Sequence, residues 1–302
     1  MESTIVFFGA SVTKQKEGYV PHFQQLIDTT KYKVIQKGYG SMHLKDAGVS
    51  FIDAVIAENP SYCFIDWFST GLLTQDYTYL STFLDCIVRK LFNVRSKVCF
   101  LLFDQNPMEP MREVMYSLVK QYAEKYKIDY IDITKNENIT DVLRDFVHTT
   151  LYGSAMYARK IYDYFTENIE GKELLIPAMP PPTIYDSILT MNINKPVHKK
   201  VSLHGDFTIV GIYQRIGPFS GLVSVQQDDS VSKMNMWDPW CHYERENIKL
   251  STRACKRVVI SVLQDSFDTS SCKLDIDFSM NTKRMELINI LYIGTMEIEE
   301  LE

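Results

Sequence analysis

Ser11 stands where a nucleophilic serine is expected, directly after the first apolar run of the chain. Residues 5–9 have the composition of a buried strand, and Gly9 and Ala10 place small side chains immediately before the hydroxyl. Small neighbours allow a substrate carbonyl and the backbone to approach a serine closely. A serine at this place can also be an ordinary turn or helix-capping residue. Ser11 therefore becomes a candidate nucleophile only together with a base.

A suitable base occurs in the sequence Asp145-Phe146-Val147-His148, before the last helix of the same half of the chain. Two intervening residues can bring a carboxylate and an imidazole together within one turn. The carboxylate would accept a hydrogen bond from one ring nitrogen and fix the tautomer, and the other nitrogen would face the nucleophile. Asp145 and His148 can equally be surface residues beside the start of a helix. The pattern is informative only because Ser11 accompanies it.

The elements between these motifs alternate between strand and helix. Apolar runs predict buried strands at residues 5–9, 32–35, 62–68, 97–103 and 128–131. Helical spacing of apolar residues predicts helices at 19–29, 44–58, 77–92, 109–125 and 153–168. The alternation predicts a flavodoxin-like three-layer α/β/α sandwich around a five-stranded parallel sheet. Functional residues of such a fold lie at the carboxyl ends of the strands, where Ser11 stands and where the His148 loop can converge with it.

In this order of elements the two motifs resemble the SGNH (GDSL-like) hydrolase superfamily, over residues 3–168. Gly9-Ala10-Ser11 resembles the family's Gly-Asp-Ser block with alanine in place of aspartate, and Asp145-x-x-His148 resembles its last block. The resemblance implies that Ser11 is the nucleophile, His148 its base and Asp145 the residue that orients His148. It also implies ester chemistry through an acyl-serine, which requires neither a metal nor an organic cofactor.

The resemblance further implies an oxyanion hole. The backbone N–H of Ser11 would provide one donor, and a glycine-rich turn after the second strand would provide another. Residues 38–41 occupy the place of that turn, and the donor there is either Gly40 or Ser41.

The third family block is where this chain departs from the pattern. The family has an oxyanion asparagine after the third strand, whereas residues 66–71 here read Asp-Trp-Phe-Ser-Thr-Gly. Thr70 is the best match to the asparagine, and Ser69 is an alternative. A site without this donor would be slower by roughly 10²–10³. Asn106, after the fourth strand, is a further residue that could reach the site.

The pattern changes after residue 168. Segment 176–183 contains four prolines and predicts a stiff, extended linker. Beyond it, strands are predicted at residues 200–212, 221–226, 257–263, 273–278 and 287–298, which favours an antiparallel β-sandwich of jelly-roll type. We therefore expect a catalytic domain over 1–175, a linker over 176–183 and an accessory β-sandwich over 184–302. The aromatic stretch 237–243 could stack on sugar rings, although a core position is favoured.

The composition excludes several classes of function. The 302 residues are 45% hydrophobic and carry a formal net charge of −6, which provides no electrostatic footprint for nucleic acid. No apolar stretch is long enough for a transmembrane helix, and the N-terminus lacks the features of a signal peptide. The six cysteines have no metal-ligand spacing and favour a reducing, cytoplasmic location. Nothing in the sequence indicates an oligomeric state.

An SGNH-like domain followed by a β-sandwich resembles carbohydrate-active esterases and acyltransferases, so an acylated carbohydrate is the expected substrate. Three functions remain open. The first is an esterase that removes acyl groups, above all acetyl, from a carbohydrate. The second is an O-acetyltransferase acting on a polysaccharide or its precursor, in which a sugar hydroxyl replaces water. The third is a non-catalytic glycan-binding protein, which the missing asparagine favours and the presence of Ser11, Asp145 and His148 opposes.

Overall fold

Two units make up the chain, Met1–Asp186 and Ser187–Glu302. The computed structural model describes residues 2–69, 78–134, 138–238, 243–265, 272 and 282–302. Each unit has a hydrophobic core of its own.

A five-stranded parallel sheet lies at the centre of the first unit, as predicted. Its strands are β1 (Ser3–Gly9), β2 (Tyr32–Gly38), β3 (Tyr62–Asp66), β4 (Lys97–Leu102) and β5 (Asp129–Asp132). Their order, β2-β1-β3-β4-β5, is that of a flavodoxin-like sheet. β1 lies between two neighbours and its last five residues are buried, which explains its continuous apolar sequence.

Helices follow the strands in the predicted alternation. They are α1 (Ser11–Lys14), α2 (Tyr19–Leu26), α3 (Ile52–Ile56), α4 (Leu80–Asn93), α5 (Pro110–Tyr126), α6 (Ile139–Val142) and α7 (Leu151–Tyr164), which continues into the π-helical segment Phe165–Ile169. The single helix expected over 44–58 is instead a π-helical turn, Leu44–Gly48, followed by α3. Asp46 explains the break, because its carboxylate accepts the backbone N–H groups of His43 and Ala47 and closes a separate turn.

Aromatic side chains join the sheet to the helices on one of its faces. The ring of Phe7 in β1 stacks on Phe64 in β3 with centroids 4.9 Å apart, and it meets Phe23 of α2 edge-on at 5.0 Å. Phe165, directly after α7, packs on Phe64 at 6.1 Å. Such pairs contribute about 0.5–1.5 kcal/mol each beyond the burial of their area. The turn after β1 and the turn before α7 are therefore attached to well-packed elements.

The second unit is an antiparallel β-rich unit, also as predicted. Its described strands are β6 (Leu189–Val197), β7 (Lys200–Ile216), β8 (Leu222–Gln227), β9 (Ser230–Asn235), β10 (Arg245–Lys249), β11 (Cys255–Val262) and β12 (Met285–Leu301). They pair in the order β6-β12-β7-β11-β8-β9, and β10 pairs with the far end of β7. Hydrogen bonds thus join the described strands into one sheet, and the division into two sheets that a jelly roll requires stays a prediction. The strand expected at 273–278 lies outside the described residues.

The proline-rich segment 176–183 and the residues that follow it, up to Asp186, contact α4 within the first unit. Arg89 of α4 donates from Nη1 to the carbonyl oxygen of Pro180 at 3.3 Å, and its Nε lies 4.0 Å from a carboxylate oxygen of Asp186. The ring of Tyr185 lies 5.3 Å from that of Phe83, also in α4. The two compact units meet between Asp186 and Ser187, and the predicted domain limits at residues 175 and 183 stay predictions. The residues of α4 that this segment contacts are distant from it in sequence. The composition of the segment gives no sign of these contacts and therefore predicts a linker.

Candidate active site

Ser11 begins α1 at the carboxyl end of β1. Gly9 pairs in register with Asp66 of β3, and the N–H of Ala10 donates to the carbonyl of Asp66 at 3.0 Å. A Cβ at Gly9 would lie 2.4 Å from that carbonyl oxygen and 2.4 Å from Oγ1 of Thr13, so the turn requires glycine. This close approach fixes the half-buried Ser11 at the edge of the sheet.

The turn after β2 packs against the same short helix. The N–H of Tyr39 donates to the carbonyl of Gly9 at 2.9 Å. A Cβ at Gly38 would lie 2.3 Å from the backbone nitrogen of Lys14, so the two backbones are in direct contact. The structure thus places the glycine-rich turn next to α1.

The predicted oxyanion donors can now be placed. Gly40 and Ser41 lie in the turn beside α1, and Ser41 has a left-handed backbone with φ of 60°. The N–H of Ser11 is available in principle, because the first N–H groups of a helix have no acceptor within it. Thr70 lies outside the described residues. The roles of these residues as donors stay predictions.

His148 connects the two sequence motifs. Its Nε2 lies 2.9 Å from Oγ of Ser11, and its Nδ1 lies 3.0 Å from each carboxylate oxygen of Asp145. An ionised carboxylate can only accept, so Nδ1 carries the proton and Nε2 is left to accept from the serine hydroxyl. The structure therefore brings Ser11, His148 and Asp145 into one hydrogen-bonded chain.

Asp145 has a second function in the turn that carries His148. Its Oδ1 accepts the backbone N–H groups of Val147 at 3.1 Å and His148 at 2.8 Å. Partial burial acts to raise the pKa of Asp145, but these two N–H donors and the facing imidazole outweigh it and hold the pKa below its ordinary value. The carboxylate thus stays ionised through mildly acidic pH and remains an acceptor for His148.

A side-chain clamp that the sequence patterns did not reveal joins the two halves of the site. Gln15, directly after α1, donates from Nε2 to the carbonyl of Thr149 at 2.9 Å, and its Oε1 accepts from Oγ1 of Thr149 at 3.2 Å. Thr149 Oγ1 also lies 2.7 Å from Oγ of Ser154 in α7. Because Thr149 follows His148, the clamp fixes the imidazole loop relative to the serine helix.

Beneath Ser11 lies a buried carboxylate that the patterns also did not single out for a role. Asp66 is fully buried and accepts from Oγ1 of Thr13 at 3.1 Å and from Oγ of Ser69. Thr13 Oγ1 in turn lies 2.8 Å from the hydroxyl of Tyr19. Burial raises the pKa of Asp66 to about 7, although the two hydroxyl donors and the charge of Arg112 lower it in part. Asp66 supports the nucleophile turn and does not itself touch Ser11 in a described hydrogen bond.

Asp66 is expected to make the stability of the protein depend on pH. Its pKa in the folded chain lies above that of an unfolded aspartate, so the folded chain binds more protons between the two values. The contribution of Asp66 to the free energy of unfolding is fully present below the pKa of an unfolded aspartate. It is lost as the pH rises through about 7. The Asp66→Asn variant cannot titrate at this position. Its free energy of unfolding, relative to that of the wild type, should therefore rise by about 4 kcal/mol between about pH 4 and about pH 8. Urea unfolding at several pH values measures this difference.

Asp28→Asn provides a control of opposite sign. Hydrogen bonds from Thr30 lower the pKa of this exposed carboxylate, so its contribution to stability is lost as the pH falls. The wild type should therefore be more stable than Asp28→Asn at neutral pH, and this advantage should shrink as the pH falls. A difference for Asp66→Asn that stays constant from acid to alkaline pH would contradict the proposed titration.

Metal binding and membrane crossing can be checked in the part of the chain that the structure describes. No group of three His, Cys, Asp or Glu side chains there could hold a metal ion. In the same residues, no helix is long and apolar enough to cross a membrane. Trp237, from the aromatic stretch, is buried, and residues 239–242 of that stretch lie outside the described residues.

Comparison with known proteins bears on the fold. No family model matches the sequence, and no curated protein matches it. Among solved structures, a two-domain esterase active on acetylated mannans aligns with 100% of this chain and 92% of its own, at 13% identity and a TM-score of 0.66. The crystal structure of that esterase with mannopentaose aligns with 97% of this chain and 91% of its own, at 13% identity and a TM-score of 0.67. At this identity the likeness is one of fold. The chain therefore shares the fold of this two-domain esterase.

Proposed function

We propose that the protein is a serine esterase that removes acyl groups, acetyl above all, from a carbohydrate. The observation that carries this proposal is the chain of hydrogen bonds from Ser11 Oγ through His148 to Asp145, at 2.9 and 3.0 Å, at the carboxyl edge of the parallel sheet. Nucleophile and base within this reach, with the base oriented by a carboxylate, form the arrangement that activates a serine. The match of fold to an esterase supports the same reaction class.

The reaction begins when Ser11 Oγ attacks the ester carbonyl carbon and His148 Nε2 takes the hydroxyl proton. The tetrahedral intermediate collapses as the bond to the sugar oxygen breaks, and His148 returns the proton to that oxygen. Water then attacks the acyl-serine with His148 again as base, which releases the carboxylic acid and restores Ser11. Asp145 remains ionised and stabilises the imidazolium in both steps.

The oxyanion of each intermediate would rest on backbone N–H groups. The N–H of Ser11 and that of Gly40 or Ser41 belong to two turns in direct contact, which follow β1 and β2. Such donors act through their fixed orientation, which is why the tight packing of Gly9 and Gly38 matters for the rate. Thr70, which lies outside the described residues, stays the sequence-based candidate for a third donor, with Ser69 as the alternative.

The substrate class is inferred from the neighbour and from the rim of the site. The two-domain esterase that shares the fold is active on acetylated mannans, and we extend the class of acetylated carbohydrates to this chain. Phe146 and Tyr152 lie on either side of His148 in sequence and are 37% and 64% exposed. Exposed aromatic rings beside a catalytic group provide flat apolar surfaces for a sugar ring.

Product analysis tests this function against its closest alternative. The protein would be incubated with acetylated manno- or xylo-oligosaccharides and an excess of isotope-labelled, unacetylated oligosaccharide. An esterase releases acetate into solution and leaves the labelled sugar unchanged. Acetyl groups on the labelled sugar would assign the reaction to an O-acetyltransferase, in which a sugar hydroxyl resolves the acyl-serine. Absence of both products would overturn catalysis on this substrate class and favour a glycan-binding protein.

A further inference from the structure

A cavity of about 760 Å³ opens beside the proposed catalytic chain, at the carboxyl ends of β4 and β5. Its walls come from the loop after β4, from one face of α5 and from the residues that follow β5. The volume lies within the range of small-molecule sites, roughly 300–1,000 Å³. Ser11, His148 and Asp145 do not line it, so the mechanism above leaves this cavity without a role.

The cavity is connected to the catalytic loop. The backbone N–H of Asn106, whose residue lines the cavity, donates to the carbonyl of Phe146 at 3.0 Å. Phe146 lies between Asp145 and His148. Adjacent strands lie about 4.8 Å apart, so loops after β4 and β5 start about 10 to 14 Å from the end of β1. A short oligosaccharide can span that distance from Ser11, whereas a monosaccharide cannot.

The lining combines polar with apolar groups and bears excess negative charge. Asp104, Glu113 and Asp132 provide three carboxylates, and Lys120, which is bound to Asp132, provides one ammonium group. Carboxylates accept hydroxyl hydrogen bonds strongly, because charge-assisted bonds are about twice as strong as neutral ones. The same charges repel a carboxylate or phosphate on a ligand.

A buried amide donor points to the same use. Gln105 lines the cavity and is 3% exposed, and its Oε1 accepts from Nε of Arg112 at 3.2 Å. Its Nε2 is buried and has no hydrogen-bond partner among the described residues. A buried donor without an acceptor is destabilising, and a ligand hydroxyl that accepted from it would remove this penalty.

We propose that this cavity is a remote subsite for an uncharged sugar unit of an oligosaccharide whose acylated unit lies at Ser11, an inference that rests on the proposed function. The subsite makes an oligomeric or polymeric glycan the substrate, in preference to an acylated monosaccharide. It also disfavours chains of uronic acids or phosphorylated sugars.

Titration calorimetry with the Ser11→Ala protein tests the subsite without any ester chemistry. The probes are unacetylated mannopentaose, xylopentaose and cellopentaose, the corresponding monosaccharides, and a galacturonic acid pentamer. At least one neutral pentasaccharide should bind, with an affinity at least tenfold above that of its monosaccharide, and the acidic pentamer should bind more weakly. Adding Glu113→Gln should weaken the neutral pentasaccharide about tenfold, as expected for loss of a hydrogen bond to a charged group.

Glu124→Gln provides the matched control, because Glu124 is exposed on the same helix and does not line the cavity. It should bind the pentasaccharide as the Ser11→Ala parent does. Asn106→Ala, which keeps the backbone bond to Phe146, should weaken binding as Glu113→Gln does. Equal binding by Glu113→Gln, Asn106→Ala and Glu124→Gln, or no gain in affinity with chain length, would overturn the subsite. Failure of the proposed function would give a different result. The wild type would release no acetate, while binding of the pentasaccharide would be retained.

Discussion

Ser11→Ala is expected to lower kcat/KM for p-nitrophenyl acetate by roughly 10⁴–10⁶, the range for loss of a catalytic serine. The physical reason is that Ser11 Oγ is the atom aligned with His148 Nε2, at 2.9 Å, and alanine leaves only the binding groups and the backbone donors. Initial rates of p-nitrophenol release by wild type and variant, at matched protein concentrations, measure the effect.

Ser81→Ala, an exposed serine on α4, is the control for this experiment and should keep the wild-type rate. Thermal unfolding of both variants should show intact folding, since the Ser11 hydroxyl contributes only its bond to His148. Equal rates for wild type and Ser11→Ala, with both folded, would remove Ser11 from the mechanism and with it the esterase proposal.

Asp145→Asn is expected to lower kcat by about 10⁴, as for other catalytic carboxylates that orient a histidine. Both carboxylate oxygens lie 3.0 Å from Nδ1 of His148, so an amide puts a donor beside a nitrogen that must itself donate. It also removes the negative charge that stabilises the imidazolium. The turn should persist, because the asparagine oxygen can still accept the N–H groups of Val147 and His148.

The measurement is steady-state hydrolysis of p-nitrophenyl acetate, with unfolding curves for comparison. Asp141→Asn, an exposed aspartate in α6, should be close to wild type in both. A loss of activity that follows a loss of folded protein would assign Asp145 to the turn alone. Activity near that of wild type would show that His148 is oriented by other groups.

Much of the first unit could be predicted because the inner strands β1, β3 and β4 are largely buried and read as apolar runs. The turns after β1 and β2 also contain the glycines that their close packing demands. The π-helical turn Leu44–Gly48 could not be predicted in this way, since it depends on the carboxylate of one residue, Asp46, capturing backbone N–H groups. The spacing of apolar residues over fifteen positions does not reveal that one side chain competes for backbone N–H groups.

The second unit shows where the same method fails. The strands β6 and β9 end the path of paired strands and are largely exposed, so they lack the alternation by which the inner strands β7, β11 and β12 were predicted. The short β10 pairs only with β7 and was missed as well. Edge strands are selected for properties other than a buried face, such as resistance to further pairing.

In the candidate site, the residues whose type and spacing match a known pattern could be named in advance, and the structure brings three of them together. Gln15 and Thr149 could not, because their contact joins positions 134 residues apart and neither residue type suggests it. Asp66 falls in the third predicted strand, and neither its type nor its place there indicates a role. Its burial, and hence the direction of its pKa, depends on Thr13, Ser69 and the surrounding core.

The contact of segment 176–183 with α4 determines where this chain could be divided or recombined. A cut after residue 175 would remove the partners of Arg89 and Phe83 from α4. The junction between Asp186 and Ser187 instead keeps these contacts within one piece. Chimeras that exchange the β-rich unit between related proteins should therefore be joined at this junction, with the prolines inherited from the α/β unit.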